Sequence, residues 1–323
     1  MATVIVTGIT GQDGRYLAEQ LLANGDRVVG VVGAGRVHGR ADARIADAVE
    51  VVEWDFMDGG ALEGLLRTYR PAQFYNLAAY ATGAGMYDDP VAIGELNGIC
   101  VARILQAIER TVPGIRFCQA SSSEMFGDPS EMPQSETTGF RPLSPYGAAK
   151  LFAHTVVGAY RARRGLFACS AIFYNHESPR RGDGFVTRKI AKAVARIARG
   201  LQDDLSLGSL EARRDWGYAP DYVRAMRLML GHDTPDDYIV ATGKTHSVRE
   251  FCEAAFARAG LDYREHVKES PALVRHDARA PLAGDASKAR TVLGWTPEVD
   301  FRTLVDIMVD AELAAIDTPD PVP

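Results

Sequence analysis

The chain has 323 residues, of which 46% are hydrophobic and 24% charged, and its formal net charge at pH 7 is −6. These values are ordinary for a soluble globular protein, and the length allows two domains or one large α/β unit with an added lobe. The negative charge gives no reason to expect nucleic acid or an anionic membrane as a partner.

Four widely spaced cysteines lie in apolar surroundings, which predicts reduced core thiols, without a disulfide framework or a metal site. They are Cys100, Cys118, Cys169 and Cys252. A strand is predicted from residue 3, with no charged leader before it, and no uninterrupted apolar stretch approaches the length of a membrane span. We therefore expect a cytoplasmic protein.

Short β-branched runs alternate with amphipathic helical stretches over the first half of the chain. The predicted strands are residues 3–6, 27–32, 51–54, 73–77, 116–120 and 168–173. This alternation predicts a parallel sheet covered by helices on both faces. The alternation of strands and helices ends after residue 174. Helices are predicted beyond it over residues 186–199, 248–259 and 301–315.

These elements predict an α/β fold with two parts. A Rossmann-like, doubly wound parallel sheet is expected to bind NAD(P) and to comprise residues 1–174 with 220–247. A smaller, discontinuous α/β lobe, residues 175–219 with 248–316, is expected to bind the substrate over the carboxyl ends of the strands. The proline-rich residues 317–323 are expected to form a flexible tail.

The first predicted strand runs directly into a glycine-rich turn and then a helix. The turn has the pattern GxxGxxG, in the strand-turn-helix context that gives this motif its meaning. The glycines let the backbone approach a pyrophosphate, and the helix start offers free N–H groups to its charge. The predicted cofactor-binding residues here are Gly8, Thr10, Gly11, Gln12, Asp13 and Gly14.

A hydroxyl, a carboxylate, a phenol and an ammonium follow the fifth predicted strand: Ser122, Glu124, Tyr146 and Lys150. Redox chemistry on a sugar carbinol needs such groups. Tyr146 and Lys150 are four residues apart and fall on one helix face. Ser144 suits the N-cap and Pro145 the first helical position. We expect the lysine charge, with a cationic nicotinamide ring, to lower the pKa of the phenol.

Longer motifs resemble the GDP-mannose 4,6-dehydratases, which are extended short-chain dehydrogenases. They are GITGQDGRYLAE at 8–19, YNLAA at 75–79, QASSSEMFG at 119–127, SPYGAAKLFAH at 144–154, FYNHESPRRG at 173–182, FVTRKI at 185–190 and RRDWGYAPDYVRAM at 213–226. The resemblance implies that Tyr146 deprotonates the C4 hydroxyl of a GDP-hexose while Ser122 holds that oxygen. Glu124 would remove the C5 proton and help the C6 hydroxyl to leave as water. Hydride would pass from C4 to the cofactor and return to C6, so the enzyme would be a lyase.

The resemblance also implies further contacts. Predicted cofactor contacts, besides Tyr146 and Lys150, are Arg36, Asp55, Phe56, Leu77, Ala78 and Ala79. Predicted substrate contacts are Ser123, Asn175, Glu177, Lys189, Arg214 and Arg275. His176 is interpreted as a hydrogen-bonded structural residue of a turn and is not assigned to the site.

Several positions depart from the family pattern. An arginine pair is expected after the second strand, but the chain reads Gly33-Ala34-Gly35-Arg36, without an acidic residue to hold a bare ribose. We therefore expect NADP, with NAD as the alternative. Ala81, Ser209 and Ala278 replace a serine, an asparagine and a glutamate of the family, which leaves the exact sugar and base open.

Three alternatives follow from these departures. The chain is a GDP-mannose dehydratase, or a related dehydratase, 4-epimerase or ketoreductase acting on another nucleotide-sugar, or a cofactor-binding scaffold or redox sensor without turnover. The intact set of four reactive side chains argues against the last. Predicted helices over residues 92–109 and 152–164 could pair into a four-helix interface or be covered within the chain. The resemblance implies that an arginine loop near the second strand supports a tetramer, and its loss here favours a homodimer, with a homotetramer as the alternative.

Overall fold

The computed structural model describes residues 1–35, 48–80, 87, 89–274 and 281–318. The described strands are β1 (Thr3–Thr7), β2 (Arg27–Gly33), β3 (Glu50–Trp54), β4 (Gln73–Asn76), β5 (Arg116–Ser122), β6 (Phe167–Phe173), β7 (Asn175–Glu177), β8 (Leu205–Leu207), β9 (Arg213–Tyr218), β10 (Asp237–Val240), β11 (Thr245–Ser247) and β12 (Val267–Glu269).

The described α-helices are α1 (Gln12–Ala23), α2 (Gly59–Tyr69), α3 (Pro90–Thr111), α4 (Pro145–Arg164), α5 (Val186–Ala198), α6 (Ala219–Gly231), α7 (Val248–Arg258), α8 (Tyr263–His266), α9 (Ser287–Leu293) and α10 (Phe301–Asp317). A π-helical turn, Glu95–Ile99, interrupts α3. Short 3₁₀ turns cover Ser123–Met125 and Pro271–Leu273.

Seven strands form a parallel sheet in the order β10-β6-β5-β4-β1-β2-β3. The strand order reverses between β1 and β4, which is where the carboxyl ends of a doubly wound sheet form a ligand crevice. Both faces are covered: one core cluster packs α1 and α6 on the sheet, and the other packs α2, α3 and α4. The predicted fold class is confirmed. β10, which was not among the predicted strands, extends the sheet next to β6.

The smaller lobe has its own hydrophobic core, formed by α5, α7 and α10 around β9. A three-stranded sheet, β11-β9-β7, and a two-stranded sheet, β12-β8, belong to this part of the chain. β11, which ends the stretch predicted for the sheet domain at residue 247, pairs antiparallel with β9 of the lobe. α10 continues to Asp317, and residues 319–323 of the predicted tail lie outside the described residues.

Asp215 joins the lobe to the sheet. Its buried carboxylate accepts hydrogen bonds from Thr242 N and Oγ1, at 2.9 and 2.6 Å, and from Gly243 N at 2.9 Å. Gly284 N donates to the same carboxylate at 3.3 Å. Burial raises the pKa of Asp215, although these hydrogen bonds oppose the rise. One side chain of β9 therefore holds the segment after β10 and residue 284 together.

The 22-residue helix α3 is long and apolar enough to cross a membrane by length and composition alone, contrary to the sequence expectation. Half of its most apolar window is buried within the fold, where α3 packs against α2 and α4. Core helices of soluble proteins have the same composition, so a single helix of this kind is weak evidence for a membrane span.

Candidate active site

The glycine-rich turn lies at the carboxyl end of β1, against the segment that follows β4. Gly8 has a φ of 69°, and a Cβ there would lie 2.8 Å from the amide nitrogen of Ala78. A Cβ on Gly14 would lie 2.3 Å from the carbonyl oxygen of Gly8. No side chain fits at either position. The turn is compact enough for the N–H groups at the start of α1 to face a bound pyrophosphate.

Two predicted cofactor residues of this turn use their side chains to contact the beginning of the lobe. Gln12 Oε1 accepts from Ser178 Oγ at 2.7 Å, and Gln12 Nε2 donates to the carbonyl of His176 at 3.2 Å. His176 Nε2 lies 3.0 Å from Asp13 Oδ2. Only the backbone groups of Gln12 and Asp13 are therefore left to meet a cofactor without breaking these contacts.

His176 is part of the site, although the sequence interpretation left it out. Its ring stacks on Tyr222 with a centroid distance of 4.8 Å, while its Nδ1 lies 2.8 Å from the carbonyl of Tyr174. Burial raises the pKa of Asp13, but the charge and hydrogen bond of His176 outweigh it and leave that pKa below its usual value. The carboxylate is thus kept ionised beside the expected phosphate site, with its charge compensated.

The other predicted cofactor residues follow β3 and β4. Asp55 Oδ1 accepts from Met57 N at 2.9 Å and so closes a turn, and Phe56 packs edge-on against Trp54. Leu77 and Ala78 follow β4, and both of their amides donate to Thr7 Oγ1 at 3.1 Å. Ala79 follows directly in the same segment, and Arg36 lies outside the described residues.

Asn97, which the sequence interpretation missed, holds the end of that segment. It lies in the π-helical turn of α3, where its Oδ1 accepts from Tyr80 N at 2.7 Å and its Nδ2 donates to Tyr80 O at 3.1 Å. π-Helical turns often occur at functional sites. The sequence signal is weak, because one asparagine inside an apolar helix does not reveal such a turn.

The four predicted catalytic residues come together at the carboxyl end of β5. α4 begins as predicted, with Ser144 Oγ accepting from Gly147 N at 3.0 Å. The Ser122 hydroxyl is close enough to the Tyr146 phenol to favour its ionised form, and Glu124 N donates to Ser122 Oγ at 3.2 Å. Lys150 Nζ lies 5.7 Å from the centre of the Tyr146 ring.

The electrostatics of this cluster differ from the sequence expectation. Burial raises the pKa of Tyr146 to about 12, although the Ser122 hydrogen bond opposes it. Burial also lowers the pKa of Lys150 to about 8, so its ammonium form is itself disfavoured. Burial is therefore the larger effect in the ligand-free protein, whereas the expected lowering of the phenol pKa by Lys150 together with a cationic nicotinamide ring stays a prediction. The Tyr146 residue as a whole is only half-buried, so a ligand can approach it and supply further charge.

The structure describes five of the six predicted substrate residues. Ser123 is buried in the 3₁₀ turn after β5, and Asn175 and Arg214 lie on the neighbouring strands β7 and β9. Lys189 is exposed on α5 and donates to Ser206 O at 2.7 Å. Arg275, and with it Ala81 and Ala278 of the altered pocket, lies outside the described residues.

Glu177, a predicted substrate contact, is buried within the protein. Its carboxylate is only 1% exposed, and it accepts from Thr187 Oγ1 at 2.5 Å and pairs with Arg181 Nε at 3.1 Å. The guanidinium of Arg181 also lies 3.5 Å from the centre of the Phe185 ring. Glu177 thus holds Arg181, whose positive charge lowers the pKa of both Asp13 and Tyr146. Arg181 is a further cation of the site; it stands in the motif RRG, but the sequence analysis assigned it no contact.

Among the described residues, no cluster of His, Cys, Asp or Glu side chains is arranged to hold a metal ion. The described part of the site thus offers a phenol, an ammonium, a carboxylate, hydroxyls and a glycine-rich turn. This set suits proton transfer next to a bound dinucleotide.

Comparison with known proteins agrees with this chemistry. The sequence profile described as GDP-mannose 4,6 dehydratase matches residues 5–308. The chain belongs to the GDP-mannose 4,6-dehydratase family. It is 44% identical over 322 residues to GDP-mannose 4,6 dehydratase 1 of Arabidopsis thaliana, covering 96% of this chain and 89% of that protein. It is 40% identical over 342 residues to the GDP-mannose 4,6 dehydratase of Homo sapiens, with coverages of 97% and 92%.

Solved structures of extended short-chain dehydrogenases share the fold of this family member. The UDP-glucose 4-epimerase of Thermus thermophilus, solved as a complex with NAD, superposes with a TM-score of 0.83 at 26% identity. The superposition covers 97% of this chain and 99% of the epimerase. The likeness extends over the sheet and the smaller lobe alike.

Proposed function

We propose that this chain is a GDP-mannose 4,6-dehydratase that converts GDP-mannose to GDP-4-keto-6-deoxymannose. The observation that carries the proposal is the convergence of the four predicted catalytic side chains at the carboxyl end of β5, next to the glycine-rich turn: Ser122, Glu124, Tyr146 and Lys150. Relatives named for this activity are 38–44% identical to nearly the whole chain.

The residues divide the reaction between them. Tyr146 accepts the proton of the C4 hydroxyl, and Ser122 donates a hydrogen bond to the same oxygen as it becomes a ketone. Glu124, which is partly exposed, removes the C5 proton that the ketone has made acidic and supplies a proton to the departing C6 hydroxyl. A nicotinamide dinucleotide, which the glycine-rich turn after β1 would hold, would supply the hydride acceptor and donor for the exchange between C4 and C6. The sugar therefore loses one water and the cofactor is unchanged.

The phosphates of the substrate need cations near this cluster. Arg214 on β9 and Lys189 on α5 are the side chains that we assign to them, together with Arg275. The planar guanidinium of arginine matches two phosphate oxygens at once. Asn175 on β7, which pairs with Trp216 of β9, supplies an amide on the same side of the lobe.

We assign NADP as the cofactor. Residues 34–36, directly after β2, end in Arg36 and contain no carboxylate that would hold a bare ribose. NAD is the alternative, and it is the cofactor in the solved Thermus thermophilus 4-epimerase. Fluorescence titration with NADPH and NADH separates the two. NADPH should bind at least about tenfold more tightly, and Arg36→Ala should remove that preference, since one charge-assisted contact contributes roughly 1.5–3 kcal/mol.

Incubation of the enzyme with GDP-mannose and a catalytic amount of NADP tests the function. Mass spectrometry should show a product lighter by one water, with no net consumption of the cofactor. Net reduction of NADP to NADPH, with a product lighter by two hydrogens, would favour a ketoreductase working in the oxidative direction, and an unchanged mass with an altered C4 configuration would favour the 4-epimerase. Other nucleotide-sugars belong in the same assay, because Ser209 and the positions 81 and 278 depart from the family pattern.

We further propose a cytoplasmic homodimer. Three apolar side chains on α3 and α4 are solvent-exposed, namely Val91 at 69%, Ile99 at 41% and Phe152 at 43%. These helices pack closely, since a Cβ on Gly98 of α3 would lie 3.3 Å from Ala149 O of α4. Two copies of this helix pair would bury the exposed side chains in a four-helix interface. Sedimentation should show a dimer that Phe152→Glu converts to a monomer; a wild-type tetramer would contradict the dimer.

A further inference from the structure

A row of buried polar side chains crosses the main sheet beneath the site. Thr7, Asn76 and Gln119 are register partners on β1, β4 and β5, and each is at most 2% exposed. Burying an amide or hydroxyl in a sheet core costs free energy unless every donor and acceptor is paired. Strands covered on both faces are normally filled by apolar residues, so this row needs an explanation.

Each member of the row donates to the next. The amides of Leu77 and Ala78 donate to Thr7 Oγ1, which donates to Asn76 Oδ1 at 2.6 Å. Asn76 Nδ2 donates to Gln119 Oε1 at 2.8 Å. Gln119 Nε2 donates to the carbonyl oxygen of Ala120 at 2.7 Å.

The row ends at the atom that holds the catalytic ammonium. Lys150 Nζ donates to the carbonyl of Ala120 at 2.9 Å, so this oxygen accepts from both Lys150 and Gln119. All the bonds run in one direction, from the segment after β4 to Ala120, and hydrogen bonds aligned in this way polarise one another. The row therefore connects the predicted cofactor segment, Leu77 and Ala78, to the acceptor of Lys150.

The next strand shows that a polar residue in this row need not join the network. Ser170 on β6 is the register partner of Gln119 and is fully buried. Its hydroxyl has no hydrogen-bond partner among the described residues. The chain of bonds thus turns from Gln119 toward Lys150 and does not continue along the sheet, so Ser170 is a matched control.

We propose that Thr7, Asn76 and Gln119 are positioning residues. They act through the Ala120 carbonyl to position the Lys150 ammonium and to weaken the hydrogen bond between the two. This inference rests on the proposed dehydratase function, for which Lys150 must stand beside Tyr146. None of the three side chains is assigned a contact with substrate. Because Gln119 and Lys150 donate to the same carbonyl oxygen, the hydrogen bond from Lys150 is weaker and does not fix the lysine side chain in place.

The electrostatic surroundings of Lys150 make it sensitive to this carbonyl. Burial lowers the pKa of its ammonium, and the charge of Asp13 on α1 partly restores it. Tyr146 lies on the same helix, and Glu124 follows β5. Because Gln119 Nε2 donates to the same oxygen, it competes with the Lys150 ammonium for that acceptor and so disfavours the charged form of Lys150. Removing that donor should therefore raise the pKa of Lys150.

The chain contains six lysines, at 150, 189, 192, 244, 268 and 288, so lysine side chains labelled with ¹³C at Cε give few NMR signals. The Lys150 signal is assigned by its loss in Lys150→Met. Gln119→Met should move its titration midpoint upward by about half a pH unit, with a smaller rise for Thr7→Val, as loss of one neutral hydrogen bond predicts. Thr7→Ser, which keeps the hydroxyl, and Ser170→Ala should leave the midpoint at the wild-type value.

Turnover gives the second measurement. Gln119→Met and Thr7→Val should lower kcat by about tenfold, with KM for GDP-mannose and the cofactor Kd nearly unchanged, as expected when positioning alone is lost. Cofactor binding stoichiometry corrects for any unfolded fraction. An unchanged Lys150 midpoint in Gln119→Met, or an equal change in Ser170→Ala, would overturn the proposal. If wild-type protein does not dehydrate GDP-mannose, the proposed function fails, while the NMR titration still decides the role of the row.

Discussion

The carbonyl oxygen of Glu124 lies 2.5 Å from the position that a Cβ atom on residue 147 would occupy. Pro142 Cβ lies 3.1 Å from the same position. α4 therefore approaches the turn after β5 more closely than any residue but glycine allows. Because Tyr146 immediately precedes Gly147, this approach brings its phenol toward Ser122.

Gly147→Ala should consequently impair both stability and turnover. We expect a loss of about 1–3 kcal/mol in the free energy of unfolding, since the added methyl group meets backbone that cannot move away. We also expect kcat to fall by about tenfold or more, because the phenol is displaced. Gly158→Ala on the same helix is the control: its Cβ would meet nothing nearer than Arg161 Nη2 at 3.8 Å. That variant should be as active as wild type and as stable, or more so; equal behaviour of the two variants would refute the packing argument.

Tyr146→Phe should abolish the reaction while sparing the fold. Removal of a general base typically costs about 10²–10⁴-fold in rate. The cofactor Kd should change little, since the ring remains and only the hydroxyl is lost. Tyr160→Phe, also on α4, controls for the loss of a phenol from this helix. Steady-state kinetics and cofactor titration on both variants provide the check, and full activity in Tyr146→Phe would reject the assigned role.

The lowered pKa of Lys150 makes stability depend on pH in a defined window. Between about 8, the native value, and the ordinary value of 10.5, the unfolded chain binds more protons than the native protein. The stability contributed by this residue therefore rises with pH across that window. From pH 7 to 9.5, wild type should gain about 2 kcal/mol in unfolding free energy relative to Lys150→Met.

Urea unfolding of the ligand-free proteins at several pH values measures that difference. The raised pKa of Tyr146 acts in the opposite direction, but only above pH 10, where the native phenol stays protonated and the unfolded phenol does not. A constant difference between wild type and Lys150→Met up to pH 9.5 would show that Lys150 has an ordinary pKa in the folded protein.

Local patterns in the sequence predicted the parts of the fold that local physics determines. The strand Arg27–Gly33 is a β-branched run that ends at glycine, and it was predicted to within one residue. The helix start at Ser144 and Pro145 was also predicted, because a side-chain cap and a proline at the first position act within one turn. The spacing of Tyr146 and Lys150 then placed both on one face of that helix.

Contacts between distant segments were not predictable in the same way. Asp13 and His176 are separated by 163 positions, and only the folded chain shows that they meet. Glu177 looks like a ligand-binding carboxylate in its motif, yet it is buried under Arg181. The raised pKa of Tyr146 in the ligand-free protein could not be predicted from the sequence, because burial, the larger effect here, depends on the fold.

The most direct test of the proposed function follows one hydrogen atom of the sugar. GDP-mannose carrying deuterium at C4 is incubated with the enzyme and a catalytic amount of unlabelled NADP, and the product is analysed by mass spectrometry and NMR. If hydride leaves C4 and returns to C6 within one closed site, deuterium appears in the C6 methyl group of a product that has lost one water. A product whose methyl group carries no deuterium, or deuterium that accumulates in free reduced cofactor, would contradict the account.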